Sequence, residues 1–479
     1  MTEQNPPRQG TIGRRTLLKA LGVGGIAAAA GTAAATGVAS ASRTRSTVHD
    51  VIVIGAGFAG ITAARALRQQ GVRAVVLEAR DRIGGRTWTT TFAGEQVELG
   101  GQWIAESQPL AFGELQRYGI PLIGDPDSFP DVAYYPASDG PRTFDFLSAN
   151  DHLGSLMTRL FEGTRDYFPR PYEPLYARDL VTRVDRLSLG ARLDQLGLST
   201  QDRAWLQGVT DSYSGGDSYS RGLTSMAQWW ALGGHTHAGW DAQVATRPVG
   251  GMLGLLQRIL ADAAPDLRLN TPVTTIADNG RQVDVTTRDG RVLSARVVVV
   301  AVPANVWRTL RFTAGLPAVH AGASRFGLGV PNVMKFWFRT SGDNGRVYAT
   351  GKPGDPVSLL LPQRVLSNGD VLSVGFSEDP RLDITDQAAL EAAIRRIAPG
   401  TRLLEHAVGP WGRDPYSLGA WGMRGPDQLV HLPAIQQPHG RLAFATGDIA
   451  SGWNGAYIDG AIESGQRAAR QALDLLRTA

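Results

Sequence analysis

Short apolar runs alternate with helical stripes along most of the chain, and these two periods predict an α/β protein. The first clear element is Val51-Ile52-Val53-Ile54, four apolar and mostly β-branched residues in a row. Such side chains suit a strand, and the lack of polar alternation predicts burial on both faces. A helical stripe follows through Ala63, Ala64, Ala66 and Leu67, then a second apolar run over Ala74–Leu77. From about Asp125 to Ala245 the pattern changes. Helical stretches at 147–161 and 187–209 alternate with loops rich in proline and aromatics, such as Phe168-Pro169-Arg170-Pro171-Tyr172. A helix through Leu253, Leu256, Ile259 and Leu260 comes next. Strands over 267–276, 282–287 and 291–302 are joined by Asp-Asn-Gly and Asp-Gly turns. Val297–Val300 is apolar throughout, so it is expected in the central parallel sheet. Another strand is predicted over Asn332–Phe338. The chain closes on a helix from Ile458, with Ala461, Ile462, Gly465, Ala468, Ala469, Ala472, Leu473 and Leu476 on one face.

The length of 479 residues suits two domains, or one domain with a large insertion. The net charge is only +4, and residues 1–41 carry four basic residues against one acidic. What remains is a mixed, solvated surface rather than a nucleic-acid face. There is no cysteine, which excludes disulfides, thiolate metal sites, cysteine nucleophiles and a cysteine-linked cofactor. Arg14-Arg15-Thr16-Leu17-Leu18-Lys19 resembles a twin-arginine export signal. A weakly apolar Gly/Ala stretch over 20–38 and an A-x-A site at Ala39-Ser40-Ala41 follow it. The stretch inserts poorly into a bilayer and a cleavage site follows, so removal is favoured over an anchor. The expectation is export by the twin-arginine machinery, to a secreted, periplasmic or cell-wall location, with no membrane span after processing.

The chemistry starts at Gly55, Gly57 and Gly60, in GxGxxG spacing between the first strand and the first helix. Gly55 permits the turn, Gly57 lets backbone approach a pyrophosphate, and Gly60 lets helix and strand pack closely. Glu78 ends the second apolar run about 20 residues later, where an acidic side chain accepts ribose hydroxyls. Gly84-Gly85-Arg86 then offers backbone amides and a fixed cation beside a second phosphate. Leu99-Gly100-Gly101-Gln102-Trp103 offers another close backbone approach. His235 and His237 form an H-x-H pair with no nearby carboxylate or cysteine in sequence, a poor metal site and better read as loop or pocket lining. No metal is expected. Lys335 stands among apolar and aromatic neighbours, in a chain with only three lysines. Burying an isolated lysine is costly. It is either an edge-strand lysine that blunts aggregation or a functional group.

The joined run from Gly55 through Glu78 and Gly84-Gly85-Arg86 to Leu99-Gly100-Gly101 resembles the flavin-containing amine oxidases, which include monoamine oxidases and bacterial nicotine oxidoreductases. Tyr416-Ser417-Leu418-Gly419-Ala420-Trp421, Thr446-Gly447-Asp448 and Trp453 to Ala461 resemble that family's C-terminal signature. The resemblance implies a Rossmann-like FAD domain from residues 48–125, 246–309 and 406–479. A mixed-sheet substrate domain would come from 126–245 and 310–405. It implies non-covalent FAD held by Gly55, Gly57, Phe58, Ala59, Gly60, Glu78, Ala79, Arg80, Gly84, Gly85, Arg86, Gly100, Gly101, Gln102, Trp103, Val273, Trp411, Gly447, Asp448, Ala456, Tyr457 and Ile458. Asp448 is expected near the ribityl and phosphate groups. Lys335 is implied as a flavin-facing lysine that reaches N5 through a water. Trp421 and Tyr457 are implied as the two rings flanking the path to the flavin. The implied reaction oxidises an amine to an imine, which water hydrolyses to an aldehyde or ketone. Oxygen is the default acceptor, giving peroxide, and some relatives use an acceptor protein. An L-amino-acid oxidase is the nearest alternative, and a non-catalytic flavin carrier is the alternative of another class. A homodimer stays open. Some relatives that oxidise amino acids carry an arginine after the Leu-Gly-Gly stretch. Here Gln102-Trp103-Ile104-Ala105 follows, which points to amines without an α-carboxylate.

Overall fold

The computed structural model describes residues 48–125 and 127–478. The twin-arginine segment and its cleavage site lie outside the described residues. The strand Val48–Ile54 runs through the middle of an eight-stranded sheet. It pairs in parallel with Val75–Leu77 on one side and with Val292–Val300 on the other. Val297–Val300 therefore lies where its unbroken apolar run predicts. Leu442–Phe444 joins Val292–Val300, also in parallel, so the end of the chain returns to its beginning. Val51, Ile52 and Val53 are fully buried because helices or connecting segments cover both faces of this sheet.

One face carries the helices Phe58–Gln69, Gly251–Ala263 and Ile458–Arg477. The last buries Ile462, Ala468, Ala469 and Ala472. Gly465 sits at the closest point, where a Cβ would lie 2.3 Å from the Ala59 carbonyl oxygen. Small residues bring these two helices together, and the first turns of both line one cavity.

The second sheet has seven strands, in the order Leu403–Gly409, Met334–Thr340, Val371–Ser377, Leu359–Val365, Val347–Thr350, Val132–Ala137, Gly140–Phe144. The lysine strand is flanked on both sides by antiparallel partners. Lys335 is therefore not on an edge, and the aggregation-blunting reading is corrected. The strand Leu403–Gly409 crosses the boundary drawn at residue 405, and Arg311–Phe312 pairs in the first sheet.

Two predicted elements divide. The stretch 187–209 holds two helices, Leu189–Gln195 and Thr200–Ser214. Gly197 takes φ 58°, and the Ser199 hydroxyl caps the second helix by accepting from the Asp202 amide. The stretch 267–276 holds Asp266–Arg268 and the start of Val273–Asp278, broken at Asn270 with φ 50° and at Pro272. The helix Leu223–Leu232, buried at every position, has no counterpart in the sequence reading because its buried Thr224, Ser225 and Gln228 break any one-sided apolar stripe. No helix among the described residues is long and apolar enough to cross a membrane.

Candidate active site

Three glycine segments converge where the first strand ends. Gly55 has φ 108°, and a Cβ there would lie 2.6 Å from the Ala301 carbonyl oxygen. Gly84 and Gly85 have φ 115° and 58°, which glycine adopts without strain. Gly85 faces Gly57, and a Cβ on it would approach the Gly57 Cα to 3.4 Å. A Cβ on Gly100 would lie 2.1 Å from the Arg86 carbonyl oxygen and 2.8 Å from the Trp411 ring. The result is a floor of bare backbone. The helices Phe58–Gln69 and Ile458–Arg477 begin at its rim, so two helix N-termini add positive potential.

Charged side chains fix this floor. The buried Glu78 carboxylate accepts from the Ala56 amide at 2.8 Å and the Arg80 amide at 2.9 Å. It therefore stitches the first turn to the second strand and keeps lone pairs for a ligand hydroxyl. Arg80 pairs with Asp414 at 2.6 Å. Arg86 pairs with Asp448 at 2.8 Å and donates to the Ala420 carbonyl.

A single cavity of about 860 Å³ opens above this floor and continues between the two sheets. The predicted site residues line it, with two exceptions. Gly60 lies beneath, where a Cβ would lie 2.0 Å from the Gly55 carbonyl oxygen, so it serves packing alone. Asp448 stands one layer behind the lining residues, where it pairs with Arg86 and accepts from the Ala304 amide at 3.0 Å. Its Oδ2 also accepts from the Thr446 hydroxyl at 3.0 Å, and its Oδ1 faces Arg86.

Lys335 enters the cavity from the second sheet. Its Nζ donates to the Gly100 carbonyl at 2.9 Å and to Gln102 Oε1 at 2.8 Å, and lies 5.0 Å from the Trp103 ring centroid. Gln102 passes the contact on, donating to Gln363 Oε1 at 2.7 Å. Burial pushes the Lys335 ammonium down to about 7, and the Glu98 carboxylate opposes the shift.

Beyond the lysine the wall is aromatic. The Trp421 indole donates to the Tyr213 carbonyl at 2.8 Å, and its ring lies 5.9 Å from Tyr213 and 6.1 Å from Phe376. Tyr213 touches Trp229, and Trp229 touches Tyr457. Trp421 and Tyr457 are thus held in one arc through two further rings. The Tyr457 hydroxyl bonds Gln243 Oε1, and burial raises its pKa. His237 also lines the cavity, whereas His235 turns to Thr164 at 2.9 Å.

Residues 58–473 match the sequence profile of the family described as flavin containing amine oxidoreductase. The chain belongs to this family. It is 32% identical to the nicotine dehydrogenase of Pseudomonas putida, over 99% of this chain and 98% of that protein. It is 32% identical to a pseudooxynicotine dehydrogenase of a Pseudomonas species, over 90% of this chain and 87% of the relative. A putrescine oxidase bound to putrescine shares the fold, with a TM-score of 0.74, 22% identity, and coverage of 89% of this chain and 99% of that one. The amine oxidoreductase is therefore a flavin enzyme, and the site fits such a group. The glycine floor leaves room that any Cβ would narrow, and the arginine and helix N-termini supply the charge a pyrophosphate needs.

Sequence reasoning missed Tyr213, Phe376, Gln243, Gln363, Ser212 and Ser358, all on the cavity wall. Three come from 212–243 and three from 358–376, in the two segments assigned to the substrate domain. Only Tyr213 carried a signal, standing just before the Ser214-Gly215-Gly216-Asp217 turn.

Proposed function

We propose that the enzyme binds FAD non-covalently and oxidises an amine lacking an α-carboxylate to an imine, which water hydrolyses to a carbonyl compound. The observation that carries this reading is the division of one cavity into a cationic glycine floor and an aromatic arm. Arg80, Arg86 and Arg288 are the arginines on the cavity wall. Arg80 and Arg86 are ion-paired, and Arg288 lies at the floor, its guanidinium 5.8 Å from the Tyr416 ring and its backbone amide donating to the Pro272 carbonyl. None belongs to the aromatic arm, so a carboxylate there would be buried without a partner.

Bound flavin supplies the two-electron acceptor. Gly57, Gly84-Gly85 and Arg86 would hold its pyrophosphate, Glu78 its ribose, and Lys335 and Trp103 would stand beside its ring. The protein's share is placement. Trp421 and Tyr457, fixed by hydrogen bonds to the Tyr213 carbonyl and Gln243, hold the amine's reacting carbon and exclude water. The aromatic arm suits a bulky, mostly apolar amine, in keeping with the nicotine-related names of both relatives. Oxygen is the acceptor in this reading. A protein acceptor is the second reading, because both relatives are named dehydrogenases.

Acid precipitation should release FAD into the supernatant, and flavin left in the pellet would contradict non-covalent binding. In anaerobic rapid mixing, apolar cyclic amines should bleach the flavin. Faster bleaching by an amino acid than by its decarboxylated amine would reverse the substrate class. Mixing the reduced enzyme with oxygen then separates the acceptors: slow reoxidation favours a protein partner.

A further inference from the structure

One buried carboxyl next to the aromatic arm has no part in the reading above. Glu378 follows the strand Val371–Ser377, is 7% exposed and has no basic partner among the described residues. Its Oε1 accepts from Ser358 Oγ at 3.0 Å and from Ser212 Oγ at 3.3 Å. The two hydroxyls are also 3.0 Å from each other, and both serines line the cavity. Their placement is specific. Ser212 precedes Tyr213, whose carbonyl holds the Trp421 indole. The Ser358 amide donates to the carbonyl of Phe376 at 3.0 Å, and the Phe376 ring lies against Trp421. The hydroxyl pair therefore lines the same cavity as Trp421 and is tied through the backbone to the two residues that hold that ring.

An unpaired carboxyl buried this way needs a reason, because apolar residues would fill the space at lower cost. Burial pushes Glu378 up to about 8, and Asp211 on the helix Thr200–Ser214 adds repulsion. The other carboxylates nearby are engaged elsewhere. Asp211 is held by Ser218, Asp379 pairs with Arg381 at 2.9 Å, and Asp355 pairs with Arg396 at 3.1 Å. Lys352 lies in the turn before Ser358.

We propose that Glu378, acting through the Ser358 and Ser212 hydroxyls, takes a proton from the ammonium form of the bound substrate and delivers the neutral amine inside the site. This rests on the amine-oxidation reading. In the step, one ammonium N–H bond breaks and its electron pair stays on nitrogen as the lone pair. A serine Oγ gains that proton while its own O–H proton passes to Glu378 Oε1. The carboxylate becomes a carboxylic acid, total charge is conserved, and no oxidant takes part. Only the carboxylate accepts, so the relay gains strength as pH rises through the range where Glu378 ionises. A cationic substrate itself draws Glu378 toward the charged form.

The test uses the flavin-loaded enzyme and a series of amines of graded basicity, with flavin reduction followed anaerobically against pH. In the wild type, the rise of reduction efficiency should sit at one pH for the whole series, because an enzyme group sets it. In Glu378→Gln the rise should move with each amine's own basicity. Below that point the variant should be slower by about 100-fold, the lower range for a positioned base, and it should approach the wild type above it. The double variant Ser212→Ala, Ser358→Ala should behave like Glu378→Gln, which guards against a folding defect in either. A uniform loss at every pH, or a Glu378→Gln profile equal to wild type, would overturn the relay. Infrared titration without substrate gives a second readout. A protonated-carboxyl band that fades near pH 8 should be present in the wild type and absent from Glu378→Gln; its persistence in the variant would assign it to another group and overturn the proposal. Failure of every amine to reduce the wild-type flavin would instead overturn the function itself.

Discussion

Lys335 shows how far a single residue can be read. Its isolation in an apolar strand is visible in the sequence, and the cost of burying it marks it out. Its partners are not visible, because Gly100 and Gln102 lie 235 and 233 positions away along the chain. Lys335→Met keeps the length of the side chain and removes the donor. It should keep flavin bound yet slow flavin reduction, reoxidation or both, as rapid mixing would record. Trp421→Ala should lower reduction by about 100-fold through lost alignment, with reoxidation nearly intact. Wild-type rates in both variants with full flavin would move the active site elsewhere. Glu378 makes a separate prediction about stability. Its pKa rises from 4.5 to about 8 on folding, because burial disfavours the charged form. The proton is thus bound more tightly in the folded state, and the stability this gives is complete below pH 4.5 and lost as pH rises through 8. The unfolding midpoint of Glu378→Gln, measured against wild type, should therefore gain steadily across that window. A difference independent of pH would show that Glu378 does not titrate there.

Elements were legible where their periodicity was strong, and their ends were legible where a turn residue was forced. The first strand and the last helix stand where the pattern predicts, because an unbroken β-branched run and a one-sided small-residue stripe each fit one element. The misread stretches share a cause. Gly197 with Ser199, and Asn270 with Pro272, break elements that apolar spacing alone would continue. Local backbone chemistry outweighed the hydrophobic pattern at both places. The helix pair at the core gives a test at this scale. Gly465 carries no side chain because the Ala59 carbonyl oxygen would sit 2.3 Å from its Cβ. Gly465→Ala should force Phe58–Gln69 and Ile458–Arg477 apart and cost about 1–3 kcal/mol, the usual range for overpacking. Thermal unfolding and flavin content would both register it, since both helix N-termini open on the cavity. An unchanged midpoint would mean the pair can slide without loss.

For the whole molecule, the cofactor end and the substrate end were unequally readable. The glycine floor is assembled from three segments within residues 55–101, and each has a local signature, since close backbone approach demands glycine. The aromatic arm has none, because any combination of large rings can line such a wall. The twin-arginine export expectation concerns the whole chain and rests on residues outside those described. Replacing Arg14 and Arg15 together by lysine should leave the precursor inside the cell, as fractionation would show. Normal export of that variant would point to another route.

By itself the sequence determined the α/β class, the parallel sheet, the glycine turns, the acidic end of the second strand and the isolation of Lys335. These are consequences of local chemistry: side-chain branching, positive φ and the cost of a lone buried charge leave marks within a few residues. Only the tertiary structure decided that the lysine strand is interior, that Asp448 pairs with Arg86, and that Tyr213 and Trp229 join Trp421 to Tyr457. It alone placed Glu378 behind two serines contributed by a helix and a strand edge 146 positions apart. Such contacts depend on which segments the two sheets bring together, and no single segment carries that information.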